Sequence, residues 1–264
     1  MKMSAGIFLR EKFSAWREPL ERGDYRRFLD EAGAKLLARS SRRSVEVFSW
    51  QGNRYFFKWH HAAEGGGLGL REWEATARLG ALGVPVAKAA AAGDSFFISE
   101  ELAGAISLEE WLESRGDPRT SLPRRLIRDT AAIAAALHKA RIAHKDLYLG
   151  HFFYDPASGT ISLIDLARAR AHRWFFLRWQ VKDLAALLFS SSLLNVPPRD
   201  KIYFFHAYLG RNKLRTMDRL LARLAQRKAR RIARHTARAL RKCPGGELRQ
   251  ATAHNALDRI AGMS

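Results

Sequence analysis

The chain of 264 residues is 47% hydrophobic and 11% aromatic, enough for one large domain or two lobes, so disorder is not the default expectation. Forty-six Lys and Arg stand against 26 Asp and Glu, a formal charge of +20, so the surface repels itself unless it meets nucleic acid, phospholipid or a phosphorylated glycan. The single cysteine, Cys243, excludes an internal disulfide framework and a cysteine-based zinc cluster, and fits a reducing cytoplasm.

Along the chain, the apolar patch at residues 7–9 is broken by Arg10, Glu11 and Lys12 before a signal-peptide core can form, so no export is expected. Residues 45–50 and 54–59 are β-branched and aromatic runs around Gln51-Gly52-Asn53, which predicts an antiparallel hairpin. After Gly65-Gly66-Gly67, residues 71–82 carry Trp73, Ala77, Leu79 and Leu82 at helical spacing and stop at Gly83. Residues 95–102 are rich in Phe and Ile and predict a further strand. Ser107-Leu108-Glu109-Glu110 has the spacing of a capping box. A helix is expected over 123–143, with Pro123 at its start. Residues 151–154 and 161–166 flank the turn-forming 155–159 and predict a small hairpin; after Val181 the chain reads as helical, interrupted near Pro197-Pro198. The Ala-rich stretches 87–92 and 131–137 fall short of the ~18 apolar residues of a membrane span, so membrane contact is expected to be peripheral.

Phosphoryl transfer needs a cation on the nucleotide phosphates, a carboxylate for metal ions and a carboxylate beside the attacking hydroxyl. Lys58, late in the first hairpin, is a candidate for the cation; left unpaired among aromatics it would be costly. Glu72 is its expected helix partner, with Glu74 as the fallback; taken alone Lys58 reads as a surface cation on a strand, and it is the context that follows which argues for the phosphate role. His144-Lys145-Asp146-Leu147 follows a long helix and precedes a short strand, the setting of a kinase catalytic loop, with Asp146 to accept or orient the hydroxyl proton. Asp165 ends an apolar run, where a carboxylate can bind magnesium bridging the phosphates.

HKDLYLGHFFYD, LIDLARAR and RWQVKDLAALLFSS, with GVPV at 83–86 and SEEL at 99–102, resemble the lipopolysaccharide core kinase family, the Kdo/WaaP type, over roughly residues 58–208. The resemblance implies an α+β, protein-kinase-like bilobal fold: an N-terminal lobe, residues 1–102, of small antiparallel sheet and one helix, and a mainly helical lobe, 103–264. It implies ATP and Mg2+ as cofactors and a heptose or Kdo sugar of the lipopolysaccharide inner core, or lipid A-core, as acceptor, at the cytoplasmic face of the inner membrane. Residue by residue it places Lys58, Glu72, Glu101, Leu102, His151 and Asp165 in nucleotide and metal binding and Asp146 with Lys58 in catalysis. His151 stands where protein kinases carry a metal-binding Asn; magnesium prefers oxygen, so His151 can instead orient Asp146 or contact phosphate, or simply pack beside Phe152 and Phe153. Leu166-Ala167 replaces the Phe-Gly that follows the metal aspartate in protein kinases, which implies a constitutively organised site. The expected phosphate-covering stretch, 38–44, has serines and arginines and no glycine.

Asp183 reads either as an acid favourable near a helix N-terminus or, with His144, as structural support for the catalytic loop. Arg168, Arg170 and Arg173, with His172, Arg178 and neighbouring Trp and Phe residues, are candidates for binding a phosphorylated acceptor, or are solvated cations over an aromatic core. In 211–242, Arg219, Arg223, Arg227, Arg230, Arg234, Arg238 and Arg241 recur every three or four residues. A helix would align them into a cationic stripe suited to an anionic membrane surface, with Leu220, Leu224, Leu240, Ala229, Ala233 and Ala237 for packing. Nucleic acid is disfavoured, because no zinc finger or RNA-binding motif accompanies the charge. Two alternatives remain: a small-molecule phosphotransferase of the aminoglycoside-kinase type, and a non-catalytic pseudokinase that binds anionic glycolipid or nucleic acid.

Overall fold

Phe48, Tyr55 and Phe57, three of the six aromatic residues of the expected first hairpin, are buried in the computed structural model. It describes residues 7–40, 43–61, 66–115 and 120–242; Ser41, Arg42, Gly65 and Cys243 lie outside these, as do the side chains of Leu240 and Arg241. The chain divides into two units, Met1–Ala103 with Ser162–Ala169 and Gly104–Ile161 with Arg170–Ser264. The fold is α+β, an antiparallel sheet in the first unit and a mainly helical second unit.

In the first unit, β1 (Phe8–Leu9), β2 (Lys35–Arg39), β3 (Arg43–Trp50), β4 (Asn53–His60), β5 (Ala89–Ala92) and β6 (Phe96–Glu100) form one antiparallel sheet in the order β1-β5-β6-β4-β3-β2. The β3–β4 turn has Gln51 at φ 47° and Gly52 at φ 77°, two left-handed residues whose twist suits a two-residue hairpin. Asn53 pairs with Trp50, so it belongs to the strand and not to the turn expected from sequence. The expected phosphate-covering stretch is largely strand: Ala38 and Arg39 end β2, and Arg43 and Ser44 begin β3.

No element was expected before residue 45, yet a 3-10 turn (Glu11–Trp16), α1 (Arg17–Glu21) and α2 (Tyr25–Glu31) bury Phe13, Trp16, Leu20, Phe28 and Leu29 against Phe48, Tyr55 and Phe57. β5 is four buried alanines, weak strand formers; Ala90 and Ala91 join this core, while Ala89 and Ala92 pack with Phe97, Leu70 and Trp73. α3 (Leu68–Ala81) buries Gly69, Glu72, Thr76 and Leu79; of the other residues at helical spacing, Trp73 is half-buried against Ala89, Ala92 and Phe97, while Ala77 and Leu82 are exposed. Its face is set by a close backbone approach and a buried ion pair: a Cβ on Gly69 would lie 1.8 Å from the Phe96 carbonyl oxygen.

In the second unit β7 (Ile106–Ser107) leads into α4 (Leu108–Glu113), whose capping box is formed by Glu110 N donating to Ser107 Oγ and Ser107 N to Glu110 Oε2, both 3.1 Å. α5 (Arg124–Lys139) stops short of the expected 143, because Arg141 turns left-handed at φ 56° and β8 (Ile142–Ala143) then pairs with β11 (Arg170–Ala171). β9 (Phe152–Asp155) and β10 (Thr160–Leu163) make the small hairpin. α6 (Phe176–Leu193) begins earlier than expected and is followed by α7 (Pro198–Leu209) and α8 (Thr216–Lys242).

α8 packs on α6 through Ala229 and Ala233 against Ala185 and Phe189. Its buried stripe is Leu221, Ala225, Ala229, Ala233 and Ala237 at four-residue steps, and the four alanines, three of them expected there, let two helices approach; Leu220, also expected, is exposed. Arg219, Arg223, Arg227, Arg230, Arg234 and Arg238 are all exposed. Among the described residues no helix is long and apolar enough to cross a membrane.

Candidate active site

On β4 the side chains alternate, Phe57 entering the core and Lys58 leaving from the opposite face. The Lys58 ammonium lies 2.7 Å from Glu72 Oε1 on α3 and 3.3 Å from Asp165 Oδ1. Glu74, the fallback partner, is exposed, since residues two apart on a helix point to different sides and Glu72 takes the buried one. Arg43, at the start of β3, places Nη1 3.1 Å from the other Asp165 oxygen. Burial works to depress the Lys58 ammonium, but the Glu72 and Asp165 carboxylates outweigh it and raise it above the usual lysine range. Burial raises Glu72 in turn, against the pull of Lys58.

Asp165 sits at φ 59° without a glycine beside it. Such a conformation costs a non-glycine residue about 1 kcal/mol or more and persists where surroundings over-determine it; here two cations grip both carboxylate oxygens. A hard carboxylate flanked by an ammonium and a guanidinium fits a magnesium–polyphosphate group, the oxygen for the metal and the cations for phosphate. Among the described residues no three His, Cys, Asp or Glu cluster as a protein-only cage, so a metal here would draw further ligands from water and phosphate, as magnesium does.

The second unit builds its own constellation on Asp183, which is fully buried and is the eighth residue of α6, beyond the helix's first turn. Its two oxygens accept the backbone N–H groups of His144 and Lys145, each at 2.8 Å. Lys145 is left-handed at φ 75°, so these bonds hold a strained turn that sets the direction of Asp146. His138 Nε2 lies 3.4 Å from Asp183 Oδ2, and its Nδ1 lies 2.8 Å from the Tyr208 hydroxyl, which accepts from Gln180 Nε2 at 2.6 Å. With its proton on Nε2, facing the carboxylate, His138 accepts the Tyr208 hydroxyl hydrogen and every group is satisfied. His151 donates from Nδ1 to the Asp146 carbonyl at 2.6 Å, which leaves Nε2 as its acceptor, and its ring stacks on buried His144 at 5.5 Å. Lys182 Nζ is 3.6 Å from Asp146 Oδ1.

Glu101 follows β6, donating its N–H to the Arg54 carbonyl at 2.9 Å and pairing with the Arg54 guanidinium at 2.8 Å, with half-buried Leu102 next to it. Arg168 is exposed in the first unit; Arg170 is half-buried in β11 and Arg173 is exposed in the second. Lys58, Glu72 and Asp165 are thus gathered in one unit and His144, Asp146, His151 and Asp183 in the other. Sequence reasoning missed Lys182, His138 and Tyr208 and did not connect Arg43 with Asp165. For Lys182 the signal was its place beside Asp183; for His138 and Tyr208, which meet across 70 residues, there was none.

Residues 58–208 match the model of the Lipopolysaccharide kinase (Kdo/WaaP) family. The chain is similar to the lipopolysaccharide core heptose(I) kinase WaaP of Pseudomonas aeruginosa, 37% identical over 164 residues, covering 54% of this chain and 60% of the relative, so that protein is spanned only in part. It is also similar to the protein of that name from Escherichia coli, 32% identical over 236 residues, covering 75% of this chain and 87% of the relative. A solved structure of WaaP in complex with acyl carrier protein shares the fold, with a TM-score of 0.68 and 29% identity over 86% of this chain and 98% of its own.

Proposed function

The chain belongs to the Lipopolysaccharide kinase (Kdo/WaaP) family, and from that premise we propose that it transfers the γ-phosphoryl group of ATP to a heptose hydroxyl of the lipopolysaccharide inner core. The observation that carries the reading is the Lys58 ammonium held between Glu72 and Asp165, the arrangement a kinase needs for nucleotide phosphates. Heptose is preferred to Kdo because the relatives at 37% and 32% identity are named heptose(I) kinases.

In this mechanism Lys58, kept charged by its two carboxylates, binds and orients the phosphates, and Asp165 would hold Mg2+. Magnesium, when bound, neutralises phosphate charge. Arg43, which addresses the second Asp165 oxygen, supplies a further cation for phosphate. Glu101 and Leu102 line the adenine side. Asp146 accepts or orients the proton of the attacking hydroxyl, with Lys182 close to its carboxylate. His151 holds the loop through the Asp146 carbonyl, and Asp183 with His144 fixes the loop backbone. Arg168 and Arg170 serve a phosphorylated acceptor.

The proposed location is the cytoplasmic surface of the inner membrane, supported by the exposed arginines of α8, each contributing about 1 kcal/mol beside an anionic leaflet. An acyl carrier protein, present with the solved relative, is a candidate second partner.

Asp146→Asn tests the mechanism. With labelled ATP and a core oligosaccharide acceptor, transfer should fall by about 10^2-fold or more, whereas wild-type turnover by the variant would refute the role. Mass analysis of the product, with phosphate on heptose or on Kdo, decides the sugar.

A further inference from the structure

The two most exposed large apolar side chains among the described residues are neighbours: Trp174 at 73% and Phe175 at 89%, with Leu177 at 43% just beyond. Rings so placed are anchored from beneath. Arg141 donates from Nε to the His172 carbonyl at 3.1 Å and from Nη2 to the Arg173 carbonyl at 2.8 Å, and His172 N donates back to the Arg141 carbonyl at 2.9 Å. On the far side Phe176 is buried against His138, and Trp179 stacks on His172 at 4.6 Å. Phe175 itself is left-handed, φ 53° and ψ 34°, a conformation unfavourable for a bulky side chain. Among the described residues none covers these two rings, and backbone strain together with exposed apolar surface points to an occupant outside the chain.

The surrounding charge identifies that occupant's chemistry. Residues 166–182 contain five Lys and Arg and no acid. Arg173 and Arg178 flank the rings, both exposed, with the Arg173 guanidinium 5.9 Å from the Trp174 ring centre. Tryptophan favours the headgroup level of a bilayer, and arginine its phosphates. A sugar would engage ring faces within a concave pocket, which would cover them in part, whereas these rings are 73% and 89% exposed.

We propose that residues 173–178 form a membrane-docking tip that seats Trp174 and Phe175 among the headgroups of an anionic phospholipid bilayer, with Arg173 and Arg178 on the lipid phosphates. Arg173, grouped on sequence with the acceptor arginines, is thereby reassigned. The proposal rests on the membrane-surface location above, not on the identity of the sugar, and it adds an apolar anchor to the electrostatic attraction of α8.

The test uses the full chain and sedimentation with vesicles of phosphatidylethanolamine and phosphatidylglycerol, against vesicles of phosphatidylcholine alone. The wild type should prefer the anionic vesicles, and the double variant W174S/F175S should bind them at least about tenfold more weakly. Thermal unfolding, unchanged at these exposed positions, shows that the variant folds. Arg173→Ala and Arg178→Ala should each weaken binding about fivefold at low salt, with the difference shrinking as salt is added. Lipids brominated near the headgroup should quench wild-type tryptophan fluorescence, and Trp174→Phe should bind yet lose that quenching. Wild-type vesicle binding by the double variant, or no preference of the wild type for anionic vesicles, overturns the proposal. So does loss of phosphate transfer to a soluble, deacylated core oligosaccharide with vesicle binding retained, which would make the tip an acceptor site. Failure of the kinase reading itself would show as no transfer by the wild type and leaves the vesicle measurements separately interpretable.

Discussion

Replacing Asp183 by Asn keeps the shape of the side chain and removes its charge at the one point where two backbone amides of the 144–146 loop converge. In the wild type both carboxylate oxygens accept, from His144 N and Lys145 N at 2.8 Å each, in a fully buried setting. The amide has one acceptor oxygen; its NH2 group must face the other N–H. One buried donor then loses its partner, at about 1–3 kcal/mol, and the surviving bond loses its charge assistance, at about 1 kcal/mol more. The sum, roughly 2–4 kcal/mol, lowers Tm by roughly 5–12 °C for a chain of this size. The left-handed turn at Lys145 is then no longer over-determined, and Asp146 moves with it. A displacement of about 1 Å at a reacting group costs on the order of 10^2 in rate. The assay is thermal unfolding by circular dichroism beside steady-state phosphate transfer, where kcat should fall while KM for ATP, set by Lys58 and Asp165, changes little. A variant with wild-type Tm and wild-type kcat would refute the bracing role of Asp183.

Other substitutions probe the first unit. Gly69→Ala brings a Cβ within 1.8 Å of the Phe96 carbonyl oxygen and 2.3 Å of that of Gly93, so α3 must shift. A loss above about 3 kcal/mol is expected in denaturant unfolding, whereas Gly80→Ala, in the same helix with open space around it, should stabilise by about 0.5–1 kcal/mol. Glu72→Gln should cost about tenfold to hundredfold in kcat/KM for ATP, through loss of the charge-assisted bond to Lys58, with Glu74→Gln unchanged as the control. Burial pushes Tyr208 from the ordinary 10.0 up to about 12. Because the folded value is raised, its stabilisation is complete below about pH 10 and is lost as pH rises toward 12. Urea unfolding across that window should therefore show a falling stability that Tyr208→Phe flattens.

The elements readable in the sequence were those whose signals are local. The Gln51-Gly52 turn, the Ser107–Glu110 capping box and the stop at Gly83 each depend on dihedrals or hydrogen bonds within a few residues. β5 was not readable, because four alanines carry no strand signal and become one only between β1 and β6. The 3-10 turn, α1 and α2 were missed because Phe13, Trp16, Leu20 and Phe28 take their meaning from a sheet formed later in the chain. On α8 the packing alanines Ala229, Ala233 and Ala237 were legible from their spacing while Leu220 was misplaced, and on α3 Gly69 was passed over, because a close backbone approach is nothing hydrophobicity registers.

At the candidate site, the kinds of group needed for phosphoryl transfer were present in the residues themselves: an ammonium at Lys58 and carboxylates at Glu72, Asp146 and Asp165. Side-chain chemistry is covalent and survives any fold, and with it came the family resemblance. Which groups meet was decided by the tertiary structure. There Lys58 meets Glu72, the partner expected from the sequence, Asp183 takes the amides of His144 and Lys145 in the bracing role that was one of its two readings, and Asp165 meets Arg43 across 122 residues, which nothing local announced. Pairing of this kind depends on burial, which makes an unpartnered charge or N–H costly, and burial is a property of elements packed from distant parts of the chain.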